Sequence, residues 1–410
     1  MSQREFTDIS DWIIESGLVG RRETEIIDGV CQRLDAAGTK VMRVQIGQRI
    51  LHPVYAGMGF LWERGQGAVQ NDWERASGEV DDGLSGSPFG HLFEHKLSSW
   101  RCKLEGAHEP LPYTVLDDLR AKGATDYAVF ATGFTEDVVT DTGGRSYAEG
   151  MVSSWTVDQA GGYADEELDN LTRTIRTLGL AIKSGRNHRM ARTLLEVYLG
   201  KDAGRRVLSG EIERGSVRSI SAVLWYCDLQ GFTKIADVTP PDELIKLLND
   251  YFENMVAPIH EAGGQVLKFM GDGLMAIFEL DDTDPSDVCR IALDTVEEAR
   301  RRIAEVNRTR TGAGQPTTDF YIAIHLGDVQ YGNIGSKDRL DFTVVGPAVN
   351  EVSRIEAMCR PLEQDVVVSS AFSKAANQCQ GRLISLGRYA LRGVRRPEEL
   401  FTLMPKDIEA

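Results

Sequence analysis

The chain has 410 residues, 42% of them hydrophobic, and a net charge of −16. That length predicts two domains or three. The acidic balance argues against a general nucleic-acid binder, which needs clustered Lys and Arg to neutralise phosphates. No stretch approaches the roughly 20 apolar residues of a membrane span. Arg4, Glu5, Asp8 and Asp11 precede any apolar run, so no signal peptide is expected. Six scattered cysteines without a C-x-x-C pair are expected to be reduced, mostly buried thiols. The expectation is a cytoplasmic protein with no nucleic-acid and no membrane partner.

In chain order, 6–17 and 22–37 read as helices. In the second, Ile26, Ile27, Val30 and Leu34 recur at helical spacing before Gly38. Strand-like runs follow at 40–46, 56–62, 97–104, 127–132 and 147–156, with a helix near 111–122 among them. A helix over 164–183 closes this region, and a second helix spans 188–201. Leu168, Leu171, Ile175, Leu178 and Ile182 form an a/d stripe over about two heptads. It could pair with a partner helix or pack on the module's own sheet. This order suits an α+β sensor module. Its ending, Val152-Ser153-Ser154-Trp155 and then Asp165-Glu166-Glu167-Leu168, resembles the last strand and helix of a GAF domain. The resemblance implies a GAF/PAS-like sensor domain over 1–184, with an unidentified small-molecule or protein regulator. Trp62, Trp100 and Trp155 are conceivable pocket residues, although tryptophans are more often core.

A helical linker is expected over 185–216, its polar end, Ser209 to Ser219, leading into the next strand. From there strands at 220–227, 264–270, 274–280, 318–326, 329–334 and 341–345 alternate with helices at 240–261, 284–306 and 347–359. Late strands appear near 364–369, 382–385 and 398–403. The pattern predicts an α/β sandwich of ferredoxin-like character over 217–405.

Two motifs in this half carry chemistry. Val223–Thr233 delivers Asp228 at a strand end, and Gln265–Phe278 delivers Asp272 to a Gly-Asp-Gly turn. Two carboxylates brought together, with the carbonyl of Leu229, suit a pair of hard cations. Alone, Asp228 can be read as a strand-end residue, and Asp272 reads more readily as a turn residue, because Gly-Asp-Gly turns are common. Asn350 and Arg354, four apart on a helix, project from one face and can reach one phosphate-bearing substrate. His91-Leu-Phe-Glu94-His95 matches a short zinc-site pattern. With no third ligand cluster nearby, it reads as a solvated amphipathic segment.

The segments Asp228–Thr233, Lys268–Asp272, Gly332–Ser336 and Thr343–Asn350 followed by Arg354 resemble, in order, a class III nucleotidyl cyclase catalytic domain. The similarity covers about 217–404. It is strongest to soluble bacterial adenylate cyclases with an N-terminal sensor, and extends to Tyr198–Arg205. The resemblance implies that Asp228, Leu229 and Asp272 hold two Mg²⁺, with Mn²⁺ able to substitute. It implies that Lys268 and Thr343 read the adenine of ATP, Asn350 orients the ribose and Arg354 stabilises charge on the α-phosphate. Arg392 falls where relatives often place a lysine for the terminal phosphates. Relatives of this kind build each site from two catalytic domains, so a homodimer with two equivalent sites is implied. Thr343 departs from the commoner Asp, and the Thr-bearing subgroup includes bicarbonate-responsive members.

The expected reaction is conversion of ATP to 3′,5′-cyclic AMP and pyrophosphate under control of the N-terminal domain. A guanylate cyclase is one alternative, disfavoured by Lys268 where GTP-selective relatives carry Glu. A diguanylate cyclase is another, and Gly271-Asp-Gly-Leu-Met lacks its signature. A catalytically inactive interaction module is the third, and the filled catalytic positions argue against it.

Overall fold

The computed structural model describes residues 3–50, 55–74, 86–106, 112–134, 139–140, 146–147, 150–394 and 397–404. The chain divides into two compact units, 1–194 and 195–410.

The first unit is an antiparallel sheet backed by helices. Helices α1 (Gln3–Leu18) and α2 (Glu23–Ala36) precede strands β1 (Val41–Arg49), β2 (Tyr55–Glu63) and β3 (Gly67–Glu74). After α3 (Pro88–Glu94), β4 (Ser99–Lys103) and α4 (Thr114–Ala121) come β5 (Asp126–Gly133) and a short pair, β6 (Val139–Thr140) and β7 (Ser146–Tyr147). Strand β8 (Gly150–Val157) and helix α5 (Asp165–Leu199) follow. The six-stranded sheet runs β3-β2-β1-β8-β5-β4. The helical repeat of α2 is borne out: Ile26, Ile27, Val30 and Leu34 are buried. Strand β3 was not foreseen. It has few apolar residues and is held at the sheet edge largely by Trp73, whose indole occupies the space above Gly57 and Gly59.

One expectation is corrected here, and two readings left open in the sequence are resolved. The break expected between helices at 184–187 does not occur, and α5 is one 35-residue helix. Gly185 sits inside it against Glu23, where a Cβ would lie 2.6 Å from Oε1 of Glu23, so the glycine serves packing rather than termination. The a/d stripe is not free to pair: Leu171, Ile175, Leu178 and Ile182 are buried in the unit's own core, and Leu168 packs against it. The three tryptophans do not converge on a pocket. Trp155 and Trp62 are core residues whose Nε1 atoms donate to Ser153 Oγ (3.0 Å) and Asp28 Oδ1 (2.9 Å), while Trp100 belongs to a separate cluster. The His91–His95 segment is the end of the seven-residue helix α3, with His95 as its C-cap. His91 Nδ1 meets the Tyr113 hydroxyl at 3.0 Å, and no metal-competent trio forms there among the described residues.

The second unit opens with α6 (Lys201–Leu208). This part of the expected linker is docked, not free. Tyr331 Oη donates to Asp202 at 3.1 Å, and Arg206 stacks over the Tyr331 ring. Next come β9 (Val217–Leu229), α7 (Phe232–Val238), α8 (Pro241–Glu261), β10 (Gln265–Met270), β11 (Gly273–Glu279), α9 (Pro285–Gly312) and β12 (Phe320–Gly335). The unit ends with β13 (Leu340–Val345), α10 (Pro347–Cys359), β14 (Val366–Ser369), α11 (Ser370–Ala375), a 3₁₀ turn, β15 (Leu383–Tyr389) and β16 (Glu398–Leu403). The sheet order is β10-β11-β9-β12-β14-β16-β15, with β13 paired to β12. Its first half is the βαββαβ arrangement that defines the ferredoxin-like core.

Alternation on β9 sorts its residues between two layers. Val223, Trp225, Cys227 and Leu229 face α8 and α9. Ile220, Ala222 and Leu224 face the layer that contains α6 and α10. The two strands expected at 318–326 and 329–334 are one 16-residue strand, β12. Gly327 in its middle lets α10 approach, because a Cβ there would lie 2.7 Å from Ala348 Cβ.

Candidate active site

Asp228 follows Tyr226 on the even-numbered, α10-facing side of β9, so strand alternation turns it away from the α8–α9 core. Asp272 lies in the β10–β11 turn. Strand β11 pairs with β9 at Leu274↔Cys227, which sets the turn beside Asp228. Gly271 takes φ +68°, and a Cβ on Gly273 would lie 2.5 Å from the Cys227 carbonyl and 3.0 Å from Asp228 Oδ1. The two glycines are therefore what brings the carboxylates together.

Burial, followed by the charge and hydrogen bonding of Asp272, pushes the Asp228 carboxyl up to about 6. A third carboxylate, missed in the sequence, lies near enough to feel both aspartates. Glu356 of α10 is pushed up to about 7 by burial and by both aspartates. Its spacing two residues after Arg354 held the clue, but only the tertiary fold shows which face it occupies. Neighbouring negative charge thus adds to burial in raising Asp228 and Glu356, and the oxygens of the aspartate pair are donors of the kind that hard divalent cations take. The Leu229 side chain is buried in the core.

Asn350 and Arg354 project elsewhere. With about 100° per residue, they are about 40° apart on α10, whereas Arg354 and Glu356 are separated by about 200° of rotation. Pro347 occupies the first turn, where its missing N–H costs nothing. Asn350, Glu351 and Arg354 line an open cleft of about 530 Å³ with Gly346, Pro347, Gly393 and Val394. Gly393 adopts φ +75° in a turn closed by Val394 N–H donating to Leu391 O (3.0 Å); a Cβ there would lie 3.3 Å from the Arg354 guanidinium. Arg392 is exposed in this turn, and Lys268 is exposed on β10. Thr343 is buried on β13, opposite Gly332, and its Oγ1 has no hydrogen-bond partner. The fold thus forms two groups in one chain: the carboxylates of Asp228, Asp272 and Glu356, and the cleft of Asn350 and Arg354.

Residues 216–405 match the family model of the adenylate and guanylate cyclase catalytic domain. The C-terminal half carries a cyclase catalytic domain of that family. The chain is 33% identical over 162 residues to an adenylate cyclase of Anabaena cylindrica, covering 39% of this chain and 32% of that one. It is 30% identical over 149 residues to adenylate cyclase 1 of Rhizobium meliloti, covering 36% and 22%. The chain thus spans about a third or less of the length of these relatives. Among solved structures it is similar to the adenylyl cyclase CyaB from P. aeruginosa. That likeness has 22% identity and a TM-score of 0.43, covering 48% of this chain and 99% of that one. No helix among the described residues is long and apolar enough to cross a membrane.

Proposed function

We propose that this cyclase domain converts ATP to 3′,5′-cyclic AMP and pyrophosphate, in a homodimer whose two sites are each shared between protomers. The observation that carries the reading is the pairing of Asp228 with Asp272 at the edge of the α10 layer, apart from an Asn350–Arg354 cleft.

Asp228 and Asp272, with the Leu229 carbonyl, would hold two Mg²⁺. Bound there, the cations supply charge neutralisation at the ribose 3′-oxygen and the phosphates. Asn350 of the other protomer holds the ribose so that its 3′-oxygen lies in line with the α-phosphorus. The 3′-hydroxyl gives up its proton to water, its oxygen bonds to the α-phosphorus, and the bond from that phosphorus to the leaving pyrophosphate oxygen breaks. Arg354 spans two oxygens of the α-phosphate with its planar fork as negative charge builds. Arg392, exposed beside the cleft, binds the terminal phosphates. The unpartnered Thr343 Oγ1 supports a purine contact, and Lys268 favours adenine over guanine. The first unit, with its antiparallel sheet and flanking helices, is read as a GAF/PAS-like regulatory domain, and the chain as a cytoplasmic protein.

A cyclase assay with ATP and GTP in Mg²⁺ and in Mn²⁺ tests the reading. Cyclic AMP formation that exceeds cyclic GTP formation at least tenfold is expected. Product from GTP alone would select the guanylate cyclase reading, and no product from either nucleotide would leave an inactive interaction module.

A further inference from the structure

A second group of ionisable side chains lies on the opposite flank of α10. His325 occupies the α10-facing side of β12, two residues beyond Ala323 of the same layer. Glu398 begins β16, two residues before Leu400, which faces that layer as well. Glu351 reaches down from α10. One ligand atom from each of the three lies within 4.8 Å of the others, and His325 Nε2 is 3.8 Å from Glu351 Oε2.

The group is short of partners. The His325 ring is 6% exposed, and its Nδ1 has no hydrogen bond. Glu398 Oε1 accepts from Ser370 Oγ at 3.2 Å, while the buried Oε2 finds no donor. A buried polar atom without a partner costs about 1–3 kcal/mol, so two such atoms facing a third ionisable side chain are expected to have a ligand. From these contacts we propose that His325, Glu351 and Glu398 form a binding site for one divalent transition-metal ion, of the Zn²⁺ class.

The donor chemistry selects that class. One imidazole and two carboxylates suit Zn²⁺, whereas Mg²⁺ prefers oxygen alone. Bonds of about 2.0–2.1 Å to zinc place neighbouring ligand atoms about 3.3 Å apart, so closure needs roughly 1 Å of side-chain movement. The protonation states are already suitable. Burial lowers the His325 pKa, which leaves the ring neutral and able to coordinate. Glu351 is pushed up to about 7, first by sharing a proton with Glu398 and then by burial, with Arg354 opposing. A cation entering the site displaces that proton. This site is separate from the Asp228–Asp272 pair and does not depend on the nucleotide reading.

The test is a Zn²⁺ titration of full-length protein carrying D228N and D272N, so that the aspartate pair does not compete. Calorimetry in buffers of different ionisation enthalpy is expected to show one bound ion. About one proton should be released per ion at pH 6, falling toward none at pH 8.5. Adding H325Q, E351Q or E398Q singly should weaken binding at least tenfold, with thermal melting to check that each variant folds. Undiminished affinity in folded H325Q and E351Q would overturn the proposal. The D228N/D272N chain remains decisive even if every added variant unfolds, because absence of a single bound ion or of proton release at pH 6 would overturn the proposal equally.

Discussion

If each catalytic site is shared, two inactive variants must restore each other. Asp228→Ala removes the carboxylate half and Arg354→Ala the cleft half. The structure makes them separable, since about 200° of rotation on α10 divides Arg354 from Glu356, the residue that faces the aspartates. Losing one transition-state charge partner costs about 10²–10³ in rate, so each variant alone should retain under roughly 1% of activity. Equal amounts that exchange freely give half mixed dimers, and each mixed dimer keeps one intact site of two. The mixture should therefore recover about a quarter of the unsubstituted activity, at least about 25 times the background set by the single variants. The assay is cyclic AMP production after co-expression, with the two chains carrying different tags to measure the mixed fraction. Activity equal to the sum of the two variants would refute the shared site and return the reaction to a single chain.

Other outcomes follow from individual residues. Gly273→Ala should lower activity at least tenfold and stability by about 1–3 kcal/mol, measured by turnover and denaturant unfolding, because its Cβ meets the Cys227 carbonyl. Leu178→Ala should cost about 2–5 kcal/mol, and Leu180→Ala under about 0.5, in denaturant unfolding, since Leu178 is buried and Leu180 exposed. Neither should change the protomer stoichiometry in light scattering. Asp228 and Glu356 have folded pKa values of about 6 and about 7, above those of the unfolded chain, so folding takes up protons between about pH 4 and 7. Their contribution to stability therefore falls as pH rises through that window, and in metal-free protein Glu356→Gln should flatten the melting-temperature profile. Lys268→Glu should reduce the ATP rate at least tenfold relative to the GTP rate.

Much of the C-terminal half was legible because its signals are local. Alternating apolar strands, a Gly-Asp-Gly turn and Pro347 at a helix start each announce themselves within a few residues, and the βαββαβ order followed. The site was legible where its residues sit in such motifs. Glu356 was not, because a helical glutamate reveals its partner only when the sheet beneath it is assembled. The same holds for His325, Glu351 and Glu398, which are 26 and 47 residues apart in sequence. The two main errors of segmentation fall at glycines. Gly185 and Gly327 lie in the gaps expected between elements, yet each stands inside a continuous element where a neighbour approaches too closely for a side chain. The stripe of α5 was ambiguous for a related reason: heptad spacing marks a buried face but not what buries it.

The helix α10 ties these observations together. Its buried stripe, Ala348, Val352, Ile355 and Cys359, fixes one face on the sheet. Taking Asn350 as zero, that stripe centres near 170°, with Glu351 near 100° and Glu356 near 240°. The two glutamates therefore flank the stripe on opposite sides, toward the His325–Glu398 group and toward the aspartates, while Asn350 and Arg354 point away from the sheet. Both flanks hold carboxyls whose pKa values are raised to about 7, so a cation arriving on either side removes repulsion or a proton from beneath the same helix. Because the helix is pinned along its length by a close-packed stripe, it cannot yield freely at one edge alone. A change in charge on the Glu351 flank must then be borne by a small rotation or by the neighbouring Arg354, whose charge already opposes the rise at Glu351. Glu351 itself lines the cleft beside Arg354, so occupancy of the second group would be felt there through this pair.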